Sequence, residues 1–214
     1  MVNDPSGDDD WLLRGSADVD DVTRYYDEWA QQYDSDLVDW AYVAPDTAAS
    51  YLLEHGSPLT SVLDAGCGTG LVGRSLRRAG FDGALTGVDV SAESLRIAEQ
   101  TSAYGSTSVA DLQQPLDFDD STFDGLMCVG VMTYVPDVER CWREFARVVR
   151  PKGLIVVTQR EDLWEERRCS EVIDQLASDG VWTPVEVTEP LAYLPGNDDY
   201  ADRIGVHYVV ARVG

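Results

Sequence analysis

Basic residues are scarce in this chain. Lysine and arginine together number 16 against 39 aspartates and glutamates, a formal net charge of −23, and Lys152 is the only lysine. No basic stripe is left to neutralise phosphates, so no nucleic-acid partner is expected, and an anionic membrane surface is disfavoured. Long apolar runs are also missing: nothing approaches the ~18 consecutive residues of a transmembrane helix. The opening MVNDPSGDDD carries neither a basic nor an apolar segment, which predicts a cytoplasmic protein. Metal ligands are thin on the ground. His55 and His207 lie far from Cys67, Cys128, Cys141 and Cys169, and no C-x-x-C pair occurs. No metal site is expected, and the cysteines read as free thiols of a reducing compartment.

What is present is an ordinary apolar fraction, 44% over 214 residues, enough for one domain with a real core. The acids are unusual in kind as well as number, with 27 Asp and 12 Glu. Such a surface repels itself in dilute buffer and is screened when molar salt cuts the Debye length to about 3 Å. Together with the near-absence of lysine, this predicts an acidic protein of a salt-accumulating, halophilic cell.

Residues 1–17 are polar and acidic and are expected to be a disordered tail, with the domain filling 18–214. Val22, Tyr25, Tyr26, Trp29, Tyr33 and Leu37 recur at helical spacing, and a second helix is predicted over 46–55. These two form an expected N-terminal helical lid, 18–57, on a core of 58–214. In the core, apolar strands at 61–65, 84–90, 107–110, 123–129 and 154–158 alternate with helical stretches, the last predicted over 163–176. Two β-rich segments, 181–194 and 204–213, close the chain. Strands that are continuous apolar runs imply an α/β fold: a mostly parallel, doubly wound sheet covered on both faces, with a C-terminal antiparallel hairpin. His207 is expected on the edge strand of that hairpin. Trp164, Arg167 and Arg168 read as helix surface.

The chemistry concentrates at Asp64-Ala65-Gly66-Cys67-Gly68-Thr69-Gly70, between a strand and a helix. Glycines let a ligand approach the backbone, and the helix start behind them offers free amides. Asp89 ends the next strand, where a carboxylate of a doubly wound sheet accepts from ribose hydroxyls. Loop, acid and architecture agree on an adenosine-containing ligand. Gly68-Thr69-Gly70-Leu71-Val72-Gly73 also fits the dinucleotide fingerprint G-x-G-x-x-G, so an NAD(P)-dependent oxidoreductase stays open. Against it, Asp64 would put a negative charge near a pyrophosphate, whereas it suits a cationic ligand.

The run Val62–Gly70 resembles the first motif of class I S-adenosylmethionine-dependent methyltransferases. Gly87-Val88-Asp89-Val90-Ser91 is similar to their second, Ala110-Asp111-Leu112 to the third, Phe123–Val135 to the fourth, and Arg150–Leu154 to the turn before strand five. The order and spacing hold over residues 20–160. Tyr26–Ala30, Tyr33-Asp34, Tyr42 and Pro45 look like the methyltransferase-like subgroup named for the Williams–Beuren syndrome region. The resemblance implies a Rossmann-like domain, S-adenosyl-L-methionine as cofactor, and methyl transfer to a small-molecule acceptor. It places Ala65, Gly66 and Gly68 along the methionine moiety with Asp64 near its amino group. Asp89 falls on the ribose, Val90 and Leu112 against adenine, and Asp111 on the adenine amino group. Val129 comes beside the methionine or sulfonium, and Tyr33 closes over the cofactor from the lid. Thr133 and Tyr134 stand where this fold receives substrate. No general base is legible. A non-catalytic protein that binds S-adenosylmethionine remains a further reading.

Overall fold

The computed structural model describes residues 17–56, 58–198, 201 and 203–214; the acidic tail expected at 1–17 falls almost wholly outside them. Helix α1, Val19–Asp39, starts where Asp18 accepts from the amides of Asp20 and Asp21, satisfying two donors the first turn cannot use. Its apolar stripe buries Val22, Tyr25, Trp29 and Leu37. Helix α2, Ala44–His55, opens with Pro45 in its first turn, where the missing amide costs nothing.

The chain then alternates as its pattern predicts. Strand β1 is Ser61–Ala65 and helix α3 Leu71–Arg78. β2 is Ala84–Asp89 and α4 Ala92–Gln100, capped by Ser91. β3 is Ser106–Val109 and β4 Phe123–Cys128. A 3-10 turn at Met132–Tyr134 leads to α5, Val138–Val148, capped by Asp137. β5 is Val149–Arg160, longer at both ends than the apolar run suggested. The single helix expected over 163–176 is two, α6 Glu161–Trp164 and α7 Cys169–Ser178. The break falls at Arg168, which takes the left-handed conformation (φ 53°). β6 Trp182–Val187, β7 Leu191–Ala192 and β8 Gly205–Val213 end the chain.

The strands form one sheet in the order β3-β2-β1-β4-β5-β8-β6, with β7 also on β8. The first five are parallel, while β8 runs antiparallel to both β5 and β6. The C-terminal hairpin is therefore present, but its last strand is inserted between β5 and β6. His207, expected at the edge, pairs with Gln159 in the sheet interior.

Side chains alternate between the two faces at the period of a strand. Leu63, Ala65, Ile155, Val157, Val209 and Ala211 pack with Trp142 and Phe145 of α5 and Ile173 of α7. Val62, Leu154, Val156 and Val210 pack on the other face with Ala48 and Leu52 of α2 and Val72 and Leu76 of α3. Helix α2 thus packs into the core on this face. No helix among the described residues is long and apolar enough to cross a membrane.

Many arginines are already committed to carboxylates, as in Arg74–Asp34, Arg78–Asp46, Arg143–Glu139 and Arg147–Glu144. The formal net charge is still −23, and its self-repulsion is screened by salt. Raising potassium chloride from 0.1 to 2 M should stabilise the fold by about 2 kcal/mol, a Tm rise of roughly 4–8 °C for a chain this size. Calorimetric melting across that range checks it; a flat or falling Tm contradicts it.

Candidate active site

The strand order reverses beside β1, since β2 and β3 lie to one side and β4 and β5 to the other. Connections leave the carboxyl ends of β1 and β4 in opposite directions, and a crevice opens between them. The loop after β1 is shaped to line it. Gly66 and Gly68 have φ of 78° and 52°, a region costly for other residues. A Cβ on Gly66 would lie 2.3 Å from Val131 Cγ2, whereas one on Gly68 would meet nothing within 4 Å. The first glycine closes the loop onto the segment after β4, and the second keeps a cradle empty.

The loop is fixed from below. The amides of Gly66 and Cys67 donate to Val88 O at 2.7 and 2.9 Å. Asp89 is held on both oxygens, accepting from Gly68 N at 2.8 Å and Ser91 N at 2.9 Å. Burial raises its pKa, and the amides of Ser91, Gly68 and Val90 pull it back.

Together these segments wall a cavity of about 850 Å³, its open mouth included. Of the residues singled out in the sequence, Tyr33, Gly66, Gly68, Asp89, Val90, Asp111, Leu112, Val129 and Tyr134 line it. Among the described residues its lining contains two carboxylates, Asp89 and Asp111, and no lysine or arginine. That balance suits a cationic ligand with hydroxyls to offer and disfavours a pyrophosphate. The empty cradle at Gly68, the carboxylate ending β2 and the absence of positive charge all fit S-adenosylmethionine.

Asp64 and Ala65 are brought near but not in. Both are fully buried and stand outside the cavity wall. Asp64 Oδ2 accepts from the hydroxyl of Tyr104 at 2.6 Å, while Oδ1 has no hydrogen-bond partner. Burial pushes its carboxyl up to about 7, against the lowering effect of the Tyr104 bond. Tyr104 also accepts from Gly73 N at 3.1 Å, and its ring approaches Gly73 and Gly87 where a Cβ would stand. Sequence reasoning missed Tyr104 because a lone tyrosine between a helix and a strand carries no periodic signal. Cys67 lines the cavity at 4% exposure. Burial first, then the charges of Asp64 and Asp89, push its thiol well up.

A second, smaller cavity, about 390 Å³ with its open mouth included, adjoins the first. Thr133 lines this one and not the larger, together with Trp29, Trp40, Arg160 and Tyr193. Tyr26, Tyr33, Tyr42, Gly130 and Tyr134 line both and so form a collar at the junction. The collar is interlocked: Tyr26 Oη donates to Tyr134 Oη at 2.9 Å, and Tyr26 stands edge-on to Tyr33 and Tyr134 with centroids 6.0 and 5.6 Å away. Burial raises the hydroxyls of Tyr26, Tyr33 and Tyr42 well above the usual phenol range.

Arg167, expected on a helix surface, instead reaches under the loop after β4. It donates to the carbonyls of Met132, Thr133 and Val135 and so fixes the segment that presents Thr133 and Tyr134. Trp164 is buried and stacks on His207 with centroids 4.0 Å apart. His207 Nδ1 lies 2.9 Å from Thr188 O, and the residue lines neither cavity.

Known proteins agree with this class of site. The family model for a methyltransferase domain matches residues 63–157. Human methyltransferase-like protein 27 is 32% identical over 182 residues, covering 78% of this chain and 71% of its own. Phosphatidylethanolamine N-methyltransferase of Cereibacter sphaeroides is 34% identical over 145 residues, 65% of this chain and 68% of its own. Among solved structures, the complex between the Haloferax volcanii Trm112 methyltransferase activator and the putative methyltransferase matches with a TM-score of 0.65 at 19% identity. It covers 88% of this chain and 97% of that one. The chain belongs to the class I S-adenosylmethionine-dependent methyltransferases, and S-adenosylmethionine is its cofactor.

The Asp64 carboxyl gives a pH signature. Folded, it stays protonated up to about 7; unfolded, it ionises near 4. Between those values the native state binds the extra proton, so this group makes stability fall as pH rises. Asp64→Asn keeps an acceptor for Tyr104 and removes the titration. The Tm of the variant minus that of the parent should therefore widen steadily from pH 4 to pH 7.5, and a gap that is flat or narrows refutes the assignment.

Proposed function

We propose that the chain transfers the methyl group of S-adenosylmethionine to a small-molecule acceptor seated in the second cavity. The observation that carries this reading is the pair of adjoining cavities joined through the tyrosine collar. Asp89 would accept from the ribose hydroxyls and Asp111 from the adenine amino group, with Val90 and Leu112 beside the ring. Gly66, Gly68 and Val129 would line the methionine moiety, with Asp64 and Ala65 acting from behind the loop. Tyr33 would cover the cofactor from α1.

The cofactor supplies a methyl group already activated on a sulfonium. The protein's work is to align and to exclude water. The loop anchored by Gly66 and Asp89 fixes the donor side, and the segment held by Arg167 fixes Thr133 and Tyr134 on the acceptor side. The rings of Tyr26, Tyr33, Tyr42 and Tyr134 close the junction against solvent. The expected halophilic, cytoplasmic setting and the Williams–Beuren-region subgroup belong to the same proposal, supported by the charge and by the N-terminal tyrosine pattern. The oxidoreductase alternative finds no support in the family match or in a cavity lined by acids.

Calorimetric titration of S-adenosylhomocysteine in molar potassium chloride tests the cofactor site. Saturable binding is expected, and Asp89→Ala should weaken it roughly 10- to 100-fold, the loss of charge-assisted hydrogen bonds. Binding of a nicotinamide dinucleotide in its place would overturn the reading. Binding without turnover on any acceptor would turn it into the non-catalytic one.

A further inference from the structure

We infer that the acceptor is an amine and that the aromatic cavity is built to hold the cation that methylation makes of it. This rests on the small-molecule methyltransferase reading and names its substrate class.

Four observations carry it. First, among the described residues the lining of the second cavity contains no aspartate, glutamate, histidine, lysine or cysteine. Asp89 and Asp111 line only the larger cavity. The phenols at the junction have their pKa values raised by burial, stay protonated and so offer no phenolate to act as a base. An alcohol or phenol needs a base to become nucleophilic, whereas an unprotonated amine already has its lone pair. Second, the lining is aromatic to an unusual degree, with Trp29, Trp40 and five tyrosines. Aromatic faces attract ammonium groups, and aromatic cages are the recurring device for quaternary ones. Third, Trp29 Nε1 donates to the buried carboxylate of Asp36 at 2.7 Å, which places a negative charge behind an indole of the wall. Fourth, the one cationic side chain that the described residues give this lining, Arg160, is gripped by Asp162 through two bonds of 2.9 and 2.5 Å. Its charge is thereby neutralised, so it neither repels an ammonium nor is offered as a partner to a carboxylate acceptor.

The step balances without another reactant. The amine nitrogen gives its lone pair to the methyl carbon, and the C–N bond forms as the C–S bond breaks. That bonding pair stays on sulfur, leaving the neutral thioether of S-adenosylhomocysteine. The positive charge passes from sulfur to nitrogen, across the collar and into the aromatic cavity. A primary or secondary amine then loses one proton to water; a tertiary amine keeps its charge as a quaternary ammonium.

The test uses a pair of probes of one shape, choline and its neutral isostere 3,3-dimethylbutan-1-ol, titrated into the whole protein in saturating S-adenosylhomocysteine. Tryptophan fluorescence and calorimetry read the binding. Choline should bind at least about tenfold more tightly than the alcohol. Tyr193→Leu, at a position that lines the second cavity and not the larger one, should remove most of that preference and change S-adenosylhomocysteine affinity far less. If S-adenosylhomocysteine binds and choline binds no better than the alcohol, or not at all, the amine assignment falls and the methyltransferase reading stands. If S-adenosylhomocysteine fails to bind the folded chain, the proposed function itself falls and takes the amine with it.

Discussion

Parallel strands joined by right-handed crossovers can be added on either side of a first strand only if the connections part company above it. In this sheet they part between β1 and β4. The glycine loop, Asp89 at the end of β2, Asp111 after β3 and Val129 after β4 share one wall because each lies at the carboxyl end of a strand beside that divide.

Acidic side chains do more here than solvate a surface. Asp27 of α1 accepts from the hydroxyl of Ser91 and Asp34 from that of Thr69, and Asp34 also pairs with Arg74. Gln31 reaches Glu93 on α4. The covering helix is thus latched by polar bonds to the caps and loops beneath it, while its aromatic stripe faces inward. The same helix supplies Tyr26 and Tyr33 to the collar and Trp29 to the second cavity, so one element walls both cavities.

Most of the wall of the larger cavity was legible in the sequence because its residues cluster in short segments at strand ends, where glycine freedom and a terminal acid leave a local mark. Asp89 and Gly68 announce themselves this way. The wall of the second cavity was not legible. Trp40, Arg160 and Tyr193 come from three distant stretches, and only the completed fold assembles them. Asp64 was legible as important but not in its manner: the sequence cannot tell that Tyr104, forty residues on, caps the carboxylate from behind. Nor does periodicity reveal that the last strand enters between two earlier ones, since a hairpin reads alike whichever arm lies outward. The break at Arg168 is a tertiary effect too, set by Trp164 docking on His207 and Arg167 binding three carbonyls.

Cys67 carries a further consequence. A methylating reagent is indiscriminate, and the softest nucleophile within reach is a thiolate rather than a thiol. Here a cysteine lies in the very loop that walls the cofactor, an arrangement that invites self-alkylation. Burial first, with Asp64 and Asp89 close by, raises the pKa of its thiol, and the protonated sulfur is a far weaker nucleophile than the thiolate would be.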